Sequence, residues 1–168
     1  MTQVHVRPAT SADAATIVRF IRGLAQFEEE PLASVKVTEA DIVRDGFGPS
    51  PRFEALIAER SRDPVGFALF FMNYSTWEGT SGLYIEDLFV DEPARGTGAG
   101  RALMAAASAV ARDRGCARLE LSVLDWNPAR AFYERLGMSH QEKWLPYRLE
   151  AAGIEWLARE AGEHGEVS

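Results

Sequence analysis

The chain has one cysteine, Cys116, and three histidines, His5, His140 and His164, among 168 residues. One cysteine excludes an internal disulfide, and the opening MTQVHVRPAT lacks the basic and apolar regions of a signal peptide. A reducing cytoplasm is therefore the expected compartment. The scattered histidines and the lone cysteine offer no ligand spacing, so no metal site is expected. No apolar run approaches the ~20 residues of a membrane span. Basic residues are also scarce, 18 against 25 acidic ones, for a net charge of −7. That balance argues against a nucleic-acid partner, where a basic footprint is expected. It is compatible with a cationic ligand without requiring one.

What is present is ordinary globular material, 46% hydrophobic and 26% charged. The length suits one domain, expected over 1–168 with a core at about 4–160 and a mobile tail over 161–168. QVHVR alternates as a short strand. Thr10 and Asp13 have capping-box spacing ahead of a helix carrying Ile17, Phe20, Ile21, Leu24 and Phe27. Thr38 and Asp41 open a second helix ending near Gly46–Pro49. FEALIAE and VGFALFFMNY read as strands joined through Arg60–Pro64, and GLYIEDLFV as a third long strand. A helix from Gly98 to about Arg114 stops at Gly115, and ARLELSVL is the next strand. Asn127 caps a further helix with Pro128 at its first position, and Gly137 ends it. SHQEKWLPYRLE is expected to close the sheet. The order β-α-α-β-β-β-α-β-α-β gives an α/β domain with a mixed central sheet flanked by helices.

Two stretches carry chemistry. Arg95, Gly96, Thr97, Gly98, Ala99, Gly100 and Arg101 lie between a strand and a helix. Glycines there let backbone approach a ligand, and free N–H groups at a helix start attract anions. Neither common phosphate motif fits: Arg101 stands where the dinucleotide pattern needs glycine, and no Gly-Lys-Ser/Thr is present. A plain strand-to-helix turn is the bland alternative. The strand before this loop contains Glu86 and Asp87 side by side, costly in an apolar strand unless paired or shifted towards neutrality. Alternation puts Glu86 on the face of Tyr84, Leu88 and Val90, and Asp87 on the other, where an ion pair or capping role is expected.

Arg95-x-x-Gly98-x-Gly100 resembles the acetyl-CoA signature of the GNAT superfamily of N-acetyltransferases. Some 27 residues on, Trp126 to Met138 (WNPARAFYERLGM) is similar to the superfamily's second signature, with Met138 where Phe or another apolar residue is usual. LAQFE, DGFG, YIEDLFV and VLDWN further resemble the diamine and polyamine branch, over roughly residues 4–160. The resemblance implies the GNAT fold, acetyl-CoA as acetyl donor and a homodimer. It implies cofactor contacts at the Leu88, Phe89 and Val90 backbone, at Arg95 to Arg101, and at Asn127, Pro128, Ala129, Arg130 and Tyr133. It makes Glu86 the residue that receives the substrate ammonium and its proton, and Tyr133 the acid for the leaving sulfur. Phe27, Glu28, Glu86, Glu120 and Glu142 match substrate-side positions. Bland alternatives stay open: a solvated helix end for Glu28-Glu29-Glu30, an arginine pair for Glu86, core packing for Tyr133. The implied reaction is direct transfer in a ternary complex to a polyamine, diamine or lysine-like amino acid. An aminoglycoside, a protein N-terminus or a non-catalytic acyl-CoA sensor are the alternatives.

Overall fold

The computed structural model describes residues 3–163. Its sheet runs in spatial order β1 (Val4–Pro8), β2 (Glu54–Arg60), β3 (Asp63–Ser75), β4 (Thr80–Val90) and β5 (Leu119–Leu121). Neighbours β1 to β4 pair antiparallel, while β5 lies parallel to β4. A parallel neighbour needs a crossover, and α3 (Ala99–Asp113) supplies it. The β2–β3 hairpin turns on Ser61 and Arg62, both at positive φ, with Arg60 paired to Asp63. A two-residue turn of that kind matches the twist of the strands it joins.

Both expected caps form. The Thr10 N–H donates to the Asp13 carboxylate at 2.8 Å, ahead of α1 (Ala14–Phe27). Thr38 and Asp41 exchange backbone-to-side-chain bonds of 2.9 and 3.2 Å at the start of α2 (Glu39–Phe47). The apolar stripe of α1 then packs Ile17 and Phe20 against Ile42 of α2 and Ile57, Phe67 and Phe89 of the sheet. Phe20 stacks on Phe67 with ring centroids 5.5 Å apart. On the sheet, Ala68, Phe70, Leu83 and Ile85 are also buried, as are Leu103 and Ala107 of α3. Arg7 forks onto Asp13 and reaches Glu59, tying β1 to β2 and to the start of α1.

The chain divides into two compact units, Met1–Phe132 and Tyr133–Ser168, with α4 (Ala129–Arg135) beginning in the first and ending in the second. The second unit departs from expectation. No strand forms over SHQEKWLPYRLE: residues 139–150 are turns and irregular backbone. Pro146 has no N–H to give a ladder, which weakens that run as a strand. A helix follows instead, α5 (Ala151–Glu163), reaching into the span expected to be a mobile tail. Gly153 and Gly162 obscured its periodicity; residues 164–168 lie outside the described ones. β5 is also shorter than ARLELSVL, pairing only with Leu83 to Ile85.

Candidate active site

The register of β4 changes the reading of its two carboxylates. Leu88 pairs with Ala68 and Asp87 with Leu69, but the next β3 residue, Phe70, pairs with Ile85. Glu86 is the extra residue of a β-bulge. Such a residue breaks the alternation of side chains around it. Tyr84 pairs with Phe71 and Asp87 with Leu69, and those two β3 residues share a face. The Phe71 and Tyr84 rings lie 5.2 Å apart. So Asp87, rather than Glu86, lies on the face of Tyr84, while Leu88 lies with Ile85 on the other.

Burial follows the same line. Glu86 is exposed and Asp87 partly buried. Burial pushes the Asp87 carboxyl up to about 6, with the negative charges of Glu86 and Glu28 adding to it. No lysine or arginine pairs with Asp87 among the described residues, so the expected ion pair is not formed. Glu28 directly follows α1, and its carboxyl is raised by burial and then by Glu30. Glu28 and Glu86 thus both add negative charge at Asp87, and among the described residues no lysine or arginine pairs with any of the three. A positively charged ligand relieves that repulsion.

Beyond Ile85, β4 has β3 on one side and, among the described residues, no strand on the other, so Leu88, Phe89 and Val90 border an open strand edge. On that edge the Val90 carbonyl accepts a bond from Arg95 Nε at 3.1 Å. The Arg95 guanidinium lies 4.6 Å over the Phe27 ring and 5.8 Å from that of Phe89. Phe27 in turn sits 6.4 Å from Trp126. Trp126 was not singled out from the sequence, although it directly precedes Asn127 in the second motif.

The loop after β4 has the conformation its glycines allow. Gly96 and Gly98 have φ of 76° and 92°, a region that side chains other than glycine rarely enter. Gly98 caps α3, so Ala99, Gly100 and Arg101 form its first turn, where N–H groups have no partner within the helix. The side chains of Arg95 and Arg101 are exposed beside it. Asn127 is buried, and its Oδ1 accepts the Ala129 N–H at 2.8 Å, capping α4 as expected with Pro128 following. Arg130 donates to the Asp125 carbonyl. An open strand edge next to a cationic helix start fits a ligand with amide groups at one end and phosphates at the other.

The remaining candidates are dispersed. Glu120, on β5, is engaged by Arg118 at 2.8 Å and by the Asn73 amide at 3.1 Å. Tyr133 and Glu142 belong to the second unit. There the Tyr133 carbonyl accepts the Leu136 and Met138 N–H groups as Gly137, at φ 90°, ends α4. Glu142 is exposed. Glu28, Glu86 and Asp87 are brought together; Glu120 is drawn into a separate pair.

The family model for the Acetyltransferase (GNAT) family matches residues 21–138. The chain belongs to the GNAT acetyltransferase family. Members use acetyl-CoA as acetyl donor. Among its relatives is thialysine N-epsilon-acetyltransferase of Bos taurus, 36% identical over 94% of this chain and 99% of that protein. Spermidine/spermine N(1)-acetyltransferase-like protein 1 of Homo sapiens is 33% identical over 89% of this chain and 23% of its own length. An integron cassette protein from V. cholerae shares the fold, with a TM-score of 0.77 over 95% of this chain and 99% of that one, at 24% identity. The expected GNAT fold is therefore present, and the chain is an acetyl-CoA-dependent N-acetyltransferase.

Proposed function

We propose that this acetyltransferase modifies a terminal primary amine of a small cationic molecule: a lysine-like amino acid, a diamine or a polyamine. The observation that carries this reading is the unneutralised group Glu28, Glu86 and Asp87 beside the open edge of β4. The substrates named for the relatives, thialysine and spermidine or spermine, support it.

Acetyl-CoA supplies an activated acetyl thioester. The backbone of Leu88, Phe89 and Val90 would hold its amide arm and the loop Arg95 to Arg101 its phosphates, with Asn127 to Arg130 as further contacts. A substrate ammonium has a reference pKa near 10.4, so removing its proton at neutral pH costs about 4–5 kcal/mol. Asp87 and Glu86 offset that by drawing the ammonium in and taking the proton, directly or through one water. A carboxyl raised to about 6 is a better base than an ordinary aspartate and is still ionised at neutral pH. Tyr133 holds the phenolic proton that passes to the departing thiolate sulfur, giving the free thiol. Residues 1–168 act as one N-acetyltransferase domain, as a homodimer, in the cytoplasm.

A thiol-release assay with purified protein, acetyl-CoA and a panel of lysine, ornithine, diamines, polyamines and an aminoglycoside tests this. Turnover restricted to molecules with an unhindered terminal amine is the expected result. Cofactor binding without turnover of any amine would replace the enzyme by an acyl-CoA sensor.

A further inference from the structure

We infer that Arg118 and Glu120 form a receptor for the charged head group of an α-amino acid, so that this chain acetylates the side-chain amine of a lysine-like amino acid in preference to a diamine. The inference rests on the amine-acetylating role proposed above and assigns the other end of the substrate.

The residues involved share one surface. In the parallel pairing of β5 with β4, Glu120 lies beside Tyr84. Arg118 and Ser122 flank this short strand on either side of Glu120, and their contacts bring them to the face of Tyr84 that also carries Asp87. The Tyr84 hydroxyl lies 2.7 Å from the Ser122 hydroxyl. Asn73 of β3 reaches Glu120, and Arg118 reaches Ser75 at 3.3 Å. Gly82 makes room for this arrangement, since a Cβ there would meet the Asn73 side chain at 2.4 Å and Arg118 at 3.2 Å.

Three properties point to a ligand with both charges. Arg118 and Glu120 are 2.8 Å apart, yet their side chains remain 40% and 37% exposed. A ligand can therefore reach both. Second, each has an anchor besides the other, Ser75 for Arg118 and Asn73 for Glu120, which holds the pair in place without hiding it. Third, the position along the strand suits the length of the molecule. Tyr84 and Asp87 are three residues apart, about 10 Å at the ordinary strand rise and less across a bulge. An extended lysine-like molecule can bridge that span once the side chains of Asp87, Arg118 and Glu120 reach in from either end. A diamine or polyamine presents a second cation to this ledge, which Glu120 attracts and Arg118 repels. An α-amino acid presents an ammonium to Glu120 and a carboxylate to the Arg118 fork.

The test compares L-lysine with cadaverine, which differs only in lacking the carboxylate, by kcat/KM and by calorimetric binding in the presence of CoA. Wild type should favour lysine by roughly 10–100-fold, the worth of a hydrogen bond to a charged group, with the difference in KM and in Kd. Arg118→Gln and Arg118→Lys should each reduce that ratio, the lysine variant less, because charge without the fork recovers only part of the contact. An equal preference for both substrates in wild type would overturn the inference while leaving amine acetylation standing. A ratio unchanged in Arg118→Gln, with only melting temperature lowered, would make the pair structural. Failure to acetylate any amine would remove both this inference and the reading it rests on.

Discussion

Asp87 is partly buried, with negative neighbours and, among the described residues, no lysine or arginine paired to it, and that position has a measurable cost. Its folded-state pKa of about 6 lies above the ordinary carboxylate value near 3.9. The stability it contributes is full below about pH 4 and is lost as pH rises through 6. At neutral pH the ionised group destabilises the fold by up to about 3 kcal/mol, taking the whole shift at face value. Asp87→Asn should therefore raise the melting temperature at pH 7.5, by a few degrees, and change it little at pH 4. The same variant should lose most turnover. A lower melting temperature at pH 7.5 would mean that Asp87 makes a stabilising contact in its charged form. Glu86→Gln removes one of the charges that raise Asp87. The acid limb of kcat/KM, near pH 6 in wild type, should then move to lower pH while KM for the amine rises. A pH–rate profile for both amine and variant checks the direction. Tyr133→Phe keeps the ring and deletes the hydroxyl. It should lower kcat by roughly 10²–10⁴-fold with KM for acetyl-CoA little changed, the range for a lost acid–base group. Unchanged kcat would remove Tyr133 from the chemistry.

At the scale of elements, what was legible depended on whether a residue type has one physical meaning. Thr10 with Asp13, Thr38 with Asp41, and Asn127 before Pro128 each announced a helix start, and each does cap one. Glycines between β4 and α3 announced a backbone that only glycine adopts readily, and Gly96 and Gly98 have it. The bulge was not legible, because an extra residue in a strand looks like any other residue until its partner strand is known. That one insertion put the buried carboxylate at Asp87 instead of Glu86. Likewise KWLPYRLE has strand-like composition, but composition does not supply a neighbouring strand to pair with. The Gly98 reading can be separated into its two parts. Gly98→Asn tolerates the left-handed backbone and adds no charge, so acetyl-CoA should still raise its melting temperature, by less than in wild type. Gly98→Asp adds a negative charge at the helix start and should abolish the shift. Equal shifts in both variants would take the phosphates away from this loop.

For the whole molecule, the surface of the second unit sets the last expectation. Leu145, Tyr147, Ile154 and Trp156 are all exposed there, Tyr147 at 94% and Trp156 at 64%. They come from both the irregular segment before α5 and α5 itself, so the apolar surface is not a single misplaced side chain. Monomeric soluble proteins rarely leave large apolar surfaces of this kind uncovered. A second copy of the chain can cover it through a two-fold contact in which the same side chains meet on each side, the commonest way a soluble chain assembles. The net charge of −7 opposes association at long range, so the contact has to come from apolar burial and should tighten with added salt. Sedimentation equilibrium at micromolar concentration should give twice the chain mass. Leu145→Glu combined with Trp156→Glu should give a monomer with little loss of fold, since both side chains are already exposed. A wild-type protein that sediments as a monomer at low and high salt alike would leave this surface to some other role and remove the dimer.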